Sequence, residues 1–241
     1  MMKAITIETQ RHRESRHQTT LVAGFLCVSV SLWLLPSVWA QNAFTLDQVF
    51  AKLDAVSKTF HSVQADLQRT HVTIIVNDKD VATGKFYYER QGKEPRVKMD
   101  LTKPEEHLLI DKGKWQLYQP GVNQVQQGLL SGHQNQVEMY TSLGFGQSSQ
   151  ELKQNFEISL LPDETVDLRK TTVLELKPRT SKGFKSFRLW IDQQQWITYQ
   201  LKVTETSNDY FLLKYSNSKL GATIAPSTFD LRLPKNVNVL K

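Results

Sequence analysis

The chain has 241 residues, with 30 Lys and Arg against 24 Asp and Glu and a formal charge of +6. A surplus this mild, without a dense basic run, argues against nucleic acid as a partner, and the length admits one large β-rich domain or two small ones. The single cysteine, Cys27, excludes a fold stapled by internal disulfides.

At the N-terminus, Lys3, Arg11, Arg13 and Arg16 precede an apolar run from Leu21 to Leu35, then Pro36 and Val38-Trp-Ala40. Basic residues, a short apolar run and a small residue predict a secretory signal over 1–40, cut after Ala40. An uncut membrane anchor is the alternative, with its N-terminal end held in the cytoplasm. Phe25-Leu26 stands before Cys27 where lipid attachment would require small residues, so the mature chain, 41–241, is expected to carry no lipid of its own. Removing 1–40 takes four basic and two acidic residues, leaving 26 against 22, or +4. A weak attraction to anionic membrane surfaces remains. No later stretch is long and apolar enough to span a bilayer.

Leu46, Val49, Phe50, Leu53 and Val56 repeat at three and four after the N-cap candidate Thr45, which predicts an amphipathic helix over 44–57. From Phe60 the period becomes two. Val63, Ala65 and Leu67 alternate with polar residues, and the strand is expected to continue through Val72-Thr-Ile-Ile-Val76 to a turn at Asn77-Asp78. Phe86 and Tyr88, then Val97, Met99 and Leu101, alternate in the same way. Arg90 shares the parity of Phe86 and Tyr88, so its guanidinium belongs on the apolar face and needs a partner there; an edge arginine reaching water is the plain alternative. Leu108–Ile110, Trp115–Tyr118 and Val122–Val125 follow, separated by Asp111-Lys-Gly113 and Pro120-Gly121, and complete a meander of short antiparallel strands.

Two short helices are predicted next, Val137–Leu143 and Ser148–Phe156, around Gly144-Phe-Gly146. Helices placed midway in a β meander cover one face or end of the sheet. They are lid candidates, with Val137, Met139, Tyr140, Leu143 and Leu152 as their apolar residues. Strands resume at Val166–Leu168 and Val173–Leu176. Phe187–Ile191, Ile197–Val203, Phe211–Tyr215 and Phe229–Leu233 then alternate strictly. The fold class is therefore mainly β with helices (α+β). No repeat or linker divides it.

Together these segments resemble the periplasmic outer-membrane lipoprotein carrier family, the LolA-like proteins. Phe60-His-Ser-Val-Gln-Ala-Asp-Leu-Gln68 is similar to the family's first strand with one position closed up. Gly84, Phe86, Tyr88 and Arg90 match its Gly-x-apolar-x-apolar-x-Arg, and Val97, Met99, Leu101 and Pro104 its next strand. Asp111-Lys-Gly-Lys-Trp-Gln-Leu-Tyr-Gln-Pro-Gly-Val-Asn-Gln-Val125 resembles its most specific run, and Phe229–Val237 its closing strand. The resemblance implies an incompletely closed antiparallel half-barrel under a helical lid. Its apolar face, here Phe86, Tyr88, Val97, Met99, Leu101, Trp115 and Leu117, would receive the acyl chains of lipoproteins. An inner-membrane release complex would donate this cargo and an outer-membrane acceptor would take it, the carrier acting as a monomer. By position the family's lid-holding arginine falls on Arg90; Arg96 is the alternative, because Pro95 rather than residue 91 is the proline.

Other readings of the same residues stay open. The apolar stripes suit an ordinary packed core as well as a cavity, and Trp190 or Trp196, beside a turn, could mark a cavity rim. Lys182, Lys185 and Arg188 read as a solvated face or a docking surface. His61, His71, His107 and His133 lack metal-ligand spacing, so neither metal nor cofactor is expected. Gly144-Phe-Gly-Gln-Ser148 lacks the strand–turn–helix setting of a nucleophile elbow, which disfavours a lipid esterase. A lipid or glycolipid binder, or a lipid sensor, on the same half-barrel is the other function the residues admit.

Overall fold

A computed structural model describes residues 42–91, 94–130, 142–180 and 183–240. The expected signal over 1–40, Val137, Met139 and Tyr140 of the first lid helix, and Lys182 lie outside the described residues.

Helix α1 runs from Leu46 to Thr59 and starts where the capping residues predict. The Thr45 hydroxyl accepts from the Gln48 amide at 3.4 Å while the Gln48 side chain accepts from the Thr45 amide at 2.8 Å. This reciprocal pairing satisfies two donors that the first turn would leave unmet. The helix buries Val49, Phe50 and Leu53 on one side.

Among the described residues twelve strands then form one sheet. They are β1 (Ser62–Thr73), β2 (Asp78–Gln91), β3 (Glu94–Thr102), β4 (Glu105–Asp111), β5 (Lys114–Gln119), β6 (Gln124–Leu129), β7 (Phe156–Val166), β8 (Arg169–Pro178), β9 (Phe184–Asp192), β10 (Thr198–Glu205), β11 (Tyr210–Leu220) and β12 (Asn238–Leu240). A second helix, α2 (Ser149–Asn155), precedes β7. The order across the sheet is β12-β6-β5-β4-β3-β2-β1-β11-β10-β9-β8-β7. Two antiparallel meanders, β1–β6 and β7–β11, thus join where β1 pairs with β11. β12 adds to β6 in parallel. β7 and β12 stand at opposite edges, so the antiparallel sheet curls without closing.

One face of the curl is apolar because period two puts every second side chain there. Phe86 and Tyr88 of β2, Val97 of β3, Ile110 of β4, Phe187 and Leu189 of β9, Leu201 of β10 and Tyr215 of β11 are almost fully buried on it. Each contributes about 1.5–3 kcal/mol relative to exposure. Gly84 lets the sheet bend there: a Cβ at this position would lie 1.7 Å from the Asp100 carbonyl oxygen of β3.

The structure corrects four expectations. β1 stops at Thr73, and Ile74–Asn77 form the hairpin turn instead of strand, with Ile75 86% exposed. The apolar run suggested a strand, but Asn77 adopts a left-handed φ of 50° and the chain reverses. β7 begins directly after α2, and Asp167-Leu168 are its hairpin turn, both at positive φ, with Leu168 97% exposed. Phe229–Leu233 is not a strand: Pro226–Phe229 is a 3-10 turn, and the segment crosses the outer face, where Ile224 and Phe229 pack on Leu109. Pro226 and Pro234, lacking amide protons, suit this unpaired path. Neither Trp190 nor Trp196 is among the described residues lining the cavity on the concave face; Trp190 donates to Glu164 at 2.8 Å on the outer face, and Trp196 packs edge-on against Phe44.

Candidate functional site

One end of the concave face is covered by the segment leading into α2. Leu143 and Phe145 are fully buried there. Gly144 and Gly146, at φ of 78° and 68°, flank Phe145 and turn its ring down onto the sheet. A Cβ at Gly144 would strike the Thr198 hydroxyl, and one at Gly146 the Phe60 ring. The Phe145 ring lies 4.9 Å from both Phe86 and Tyr215 and within 6.5 Å of Phe60 and Tyr88. It plugs this part of the curl.

Polar contacts hold the plug segment. The Thr198 hydroxyl donates to the Leu143 carbonyl at 3.2 Å, and the Thr198 amide to the Gly144 carbonyl at 3.2 Å. Arg90 donates through its guanidinium to the Gly146 carbonyl at 2.6 Å. Downstream, Ser148 and Glu151 form the capping box of α2, and Asp54 of α1 accepts from the Ser149 amide at 2.6 Å and its hydroxyl at 2.8 Å. α2 places Leu152 in the core. Leu143 and Leu152, expected in lid helices, are therefore both in the cover.

Arg96 sits elsewhere. It pairs on the outer face with Glu89 at 3.4 Å and Asp111 at 3.3 Å and stacks over the Phe229 ring at 4.0 Å. Neighbouring parity separates the two arginines onto opposite faces, so it is Arg90 that reaches the cover.

Beside the plug the concave face opens into a cavity of about 510 Å³. Met99, Leu101, Leu108, Trp115, Leu117 and Leu213 form much of its wall, with Phe211 and Pro104. Of the seven residues expected to contact cargo, Met99, Leu101, Trp115 and Leu117 are in this wall. Phe86, Tyr88 and Val97 point the same way but are closed over in the packed core. Parity gives their direction correctly, but Phe145, distant in sequence, fills the space above Phe86 and Tyr88. The cross-strand pair Phe86–Met99 is where packed core passes into open wall.

The cavity also has a polar end that the alternation of apolar residues did not reveal. Arg69, His71, Asp80 and Glu106 line it. Arg69 pairs with Glu106, lies 3.8 Å from Asp80, and Gln119 donates to Glu106 at 3.3 Å. His71 stacks flat on Phe211 at 4.3 Å. The signal was present: Arg69 and His71 extend the odd-numbered row of Val63, Ala65 and Leu67, as Arg90 extends that of Phe86 and Tyr88.

A family model described as outer membrane lipoprotein carrier protein LolA matches residues 58–232. The chain belongs to the LolA family. Members of that family are binding and carrier proteins, not enzymes. An uncharacterized protein of Methanocaldococcus jannaschii is 21% identical over 215 residues, which are 88% of this LolA-family chain but 59% of that protein. The chain thus spans less than two thirds of the length of this relative. Among solved structures, an uncharacterized conserved protein from Thermus thermophilus is similar in fold, with a TM-score of 0.51 at 14% identity over 80% of this chain and 97% of the other. A putative outer membrane lipoprotein-sorting protein domain from Vibrio parahaemolyticus gives 0.45 at 12% identity over 76% and 95%. A LolA superfamily protein from Nitrosomonas europaea gives 0.38 at 17% identity over 78% and 99%.

Proposed function

We propose that this protein is a periplasmic carrier that takes the acyl chains of lipoproteins onto its concave face and moves them from the inner to the outer membrane. Residues 1–40 would direct export, leaving 41–241 as one carrier domain. An inner-membrane release complex would load it and an outer-membrane acceptor would unload it. The role is stoichiometric binding.

The observation that carries this reading is an apolar cavity next to a plug built from the chain's own Phe145. A space of about 510 Å³ falls within the ~300–1,000 Å³ usual for enclosed ligand sites. Displacing the plug would add Phe60, Phe86, Tyr88 and Tyr215 to the same wall. Exposing Phe145 costs about 1.5–3 kcal/mol, and releasing the Arg90 hydrogen bond costs about 1.5–3 kcal/mol. Burying ten methylenes returns about 8 kcal/mol. Acyl chains can therefore drive the opening, and the cover can close again once they leave, with Arg90 as its latch.

The test is native mass spectrometry of the exported protein after incubation with lipoprotein-containing membranes. A discrete one-to-one adduct with an intact acylated lipoprotein is expected. Adducts with phospholipid or glycolipid alone would overturn the cargo, and the absence of any adduct would overturn the carrier reading.

A further inference from the structure

A turn between two strands is usually built from Gly, Pro, Asn, Asp or Ser, which take the tight backbone at low cost and face water. The turn between β1 and β2 departs from this rule. Its first three residues are Ile74, Ile75 and Val76, which are 50%, 86% and 68% exposed, and Asn77 supplies the left-handed φ. The turn is also held in place. The Asn77 amide donates to the Ile74 carbonyl at 3.2 Å, and the Ile74 amide donates to the Asp209 carboxylate, just before β11, at 2.8 Å. Three β-branched aliphatic side chains are thus presented to solvent together, and a contiguous exposed apolar patch marks a contact site.

The place of this turn in the sheet points to what it contacts. β1, β3 and β5 run toward the same end, so the turns that follow them, Ile74–Asn77, Lys103-Pro104 and Pro120–Val122, stand in a row there. The cavity reaches that end. Pro104 lines it, as do His71 and Asp80, a cross-strand pair two rungs below the last pair before the β1–β2 turn. On the other side of Pro104, Val122 in the β5–β6 turn is 58% exposed. A lipid surface laid across this end meets both apolar turns and the cavity mouth between them. Charge at this end is mixed, with exposed Lys79 and Lys103 beside exposed Asp78 and Glu105, so the contact is made by apolar groups. Fluid acyl chains close around a convex aliphatic tip whatever its shape.

We propose that Ile74, Ile75 and Val76 form a membrane-inserting tip that seats the cavity mouth on the surface of a lipid bilayer. This rests on the carrier reading and deepens it: acyl chains pass between bilayer and cavity without crossing water. Apolar burial drives the insertion, so no anionic lipid is required. Leu168 supplies an internal control. It is 97% exposed, but it stands alone in the β7–β8 turn at the opposite end of the sheet.

The experiment is flotation of the exported protein with vesicles of phosphatidylcholine alone, in salt high enough to screen charge, combined with a site-specific probe. Residues 41–241 hold no cysteine, so Ile75→Cys and Leu168→Cys each carry one environment-sensitive nitrobenzoxadiazole label. The protein should float with the vesicles. The label at position 75 should brighten severalfold and be quenched by a spin label in the acyl chains, while the label at position 168 stays as in water. The double variant Ile75→Asp, Val76→Asp should bind about tenfold or more weakly, as expected when two aliphatic side chains no longer enter hydrocarbon, and Leu168→Asp should bind as the wild type does. Wild-type flotation requires no variant to fold. Absence of flotation, an equal response at positions 75 and 168, or binding confined to vesicles containing phosphatidylglycerol at low salt would overturn the tip. Brightening at position 75 with vesicles that carry membrane proteins, but not with protein-free vesicles, would overturn it in favour of a protein partner. Each of these results leaves the carrier reading intact, whose own failure is the absence of a lipoprotein adduct in the mass spectrum.

Discussion

Replacing Arg90 with leucine should loosen the plug without unfolding the sheet. Arg90 makes a charge-assisted hydrogen bond to the Gly146 carbonyl at 2.6 Å, and such bonds contribute about 1.5–3 kcal/mol. At about 1.4 kcal/mol per decade, its loss should raise the open population of the segment by about ten- to a hundredfold. Hydrogen exchange reads this at two amides: Phe145, which donates to the Ser142 carbonyl at 3.1 Å, and Thr198, which donates to the Gly144 carbonyl at 3.2 Å. In Arg90→Leu both should lose about one to two orders of magnitude of protection, while the amides of Leu201 and Val203 in the centre of the sheet keep theirs. Arg96→Leu is the control, because its partners Glu89, Asp111 and Phe229 lie on the outer face. Unchanged protection at Phe145 and Thr198, or an equal fall throughout the sheet, would refute the latch. A larger effect from Arg96→Leu at these two amides would place it on the wrong arginine.

Gly84→Ala drives a Cβ into the Asp100 carbonyl, whose backbone cannot move without shifting β3; thermal unfolding should show a loss of about 1–3 kcal/mol or more. Asp54→Ala removes both acceptors for Ser149; denaturant unfolding should show a loss of about 1–2 kcal/mol, with faster exchange in α2. Burial, and then donation to Asp167, hold the Tyr199 hydroxyl up to about 12, against 10.0 for a free tyrosine. Because the folded form retains its proton longer, the stability it contributes is fully present below about pH 10 and is lost as pH rises through about 12. Absorbance titration of tyrosinate should lose one late-ionising component in Tyr199→Phe.

Much of this architecture was legible from side-chain type alone. Thr45 marked the start of α1, and the two-residue period marked both meanders, because capping and pleating are local consequences of neighbouring residues. Parity also separated Arg90 from Arg96, since each step along a strand changes the face. Legibility failed where local preference met tertiary demand. Val72–Val76 has the composition of a strand, yet β1 ends at Thr73 where the hairpin turns. Phe229–Leu233 alternates like a strand but, flanked by Pro226 and Pro234, is used to cover Leu109.

The order of residues was thus enough to say which faces are apolar, that Arg90 intrudes on one of them, and that a helical segment interrupts the strands. How one continuous apolar face is divided was settled by the folded chain. Phe86 and Tyr88 are sealed while Met99 and Leu117 stay open, because Phe145, some sixty residues further along the chain than Phe86, packs over the first pair and not the second. Likewise Arg69, Asp80 and Glu106, on three different strands, meet only once those strands are assembled in the sheet. Periodicity sets the direction of each side chain from its neighbours, whereas occupancy of the space it enters depends on residues remote in sequence.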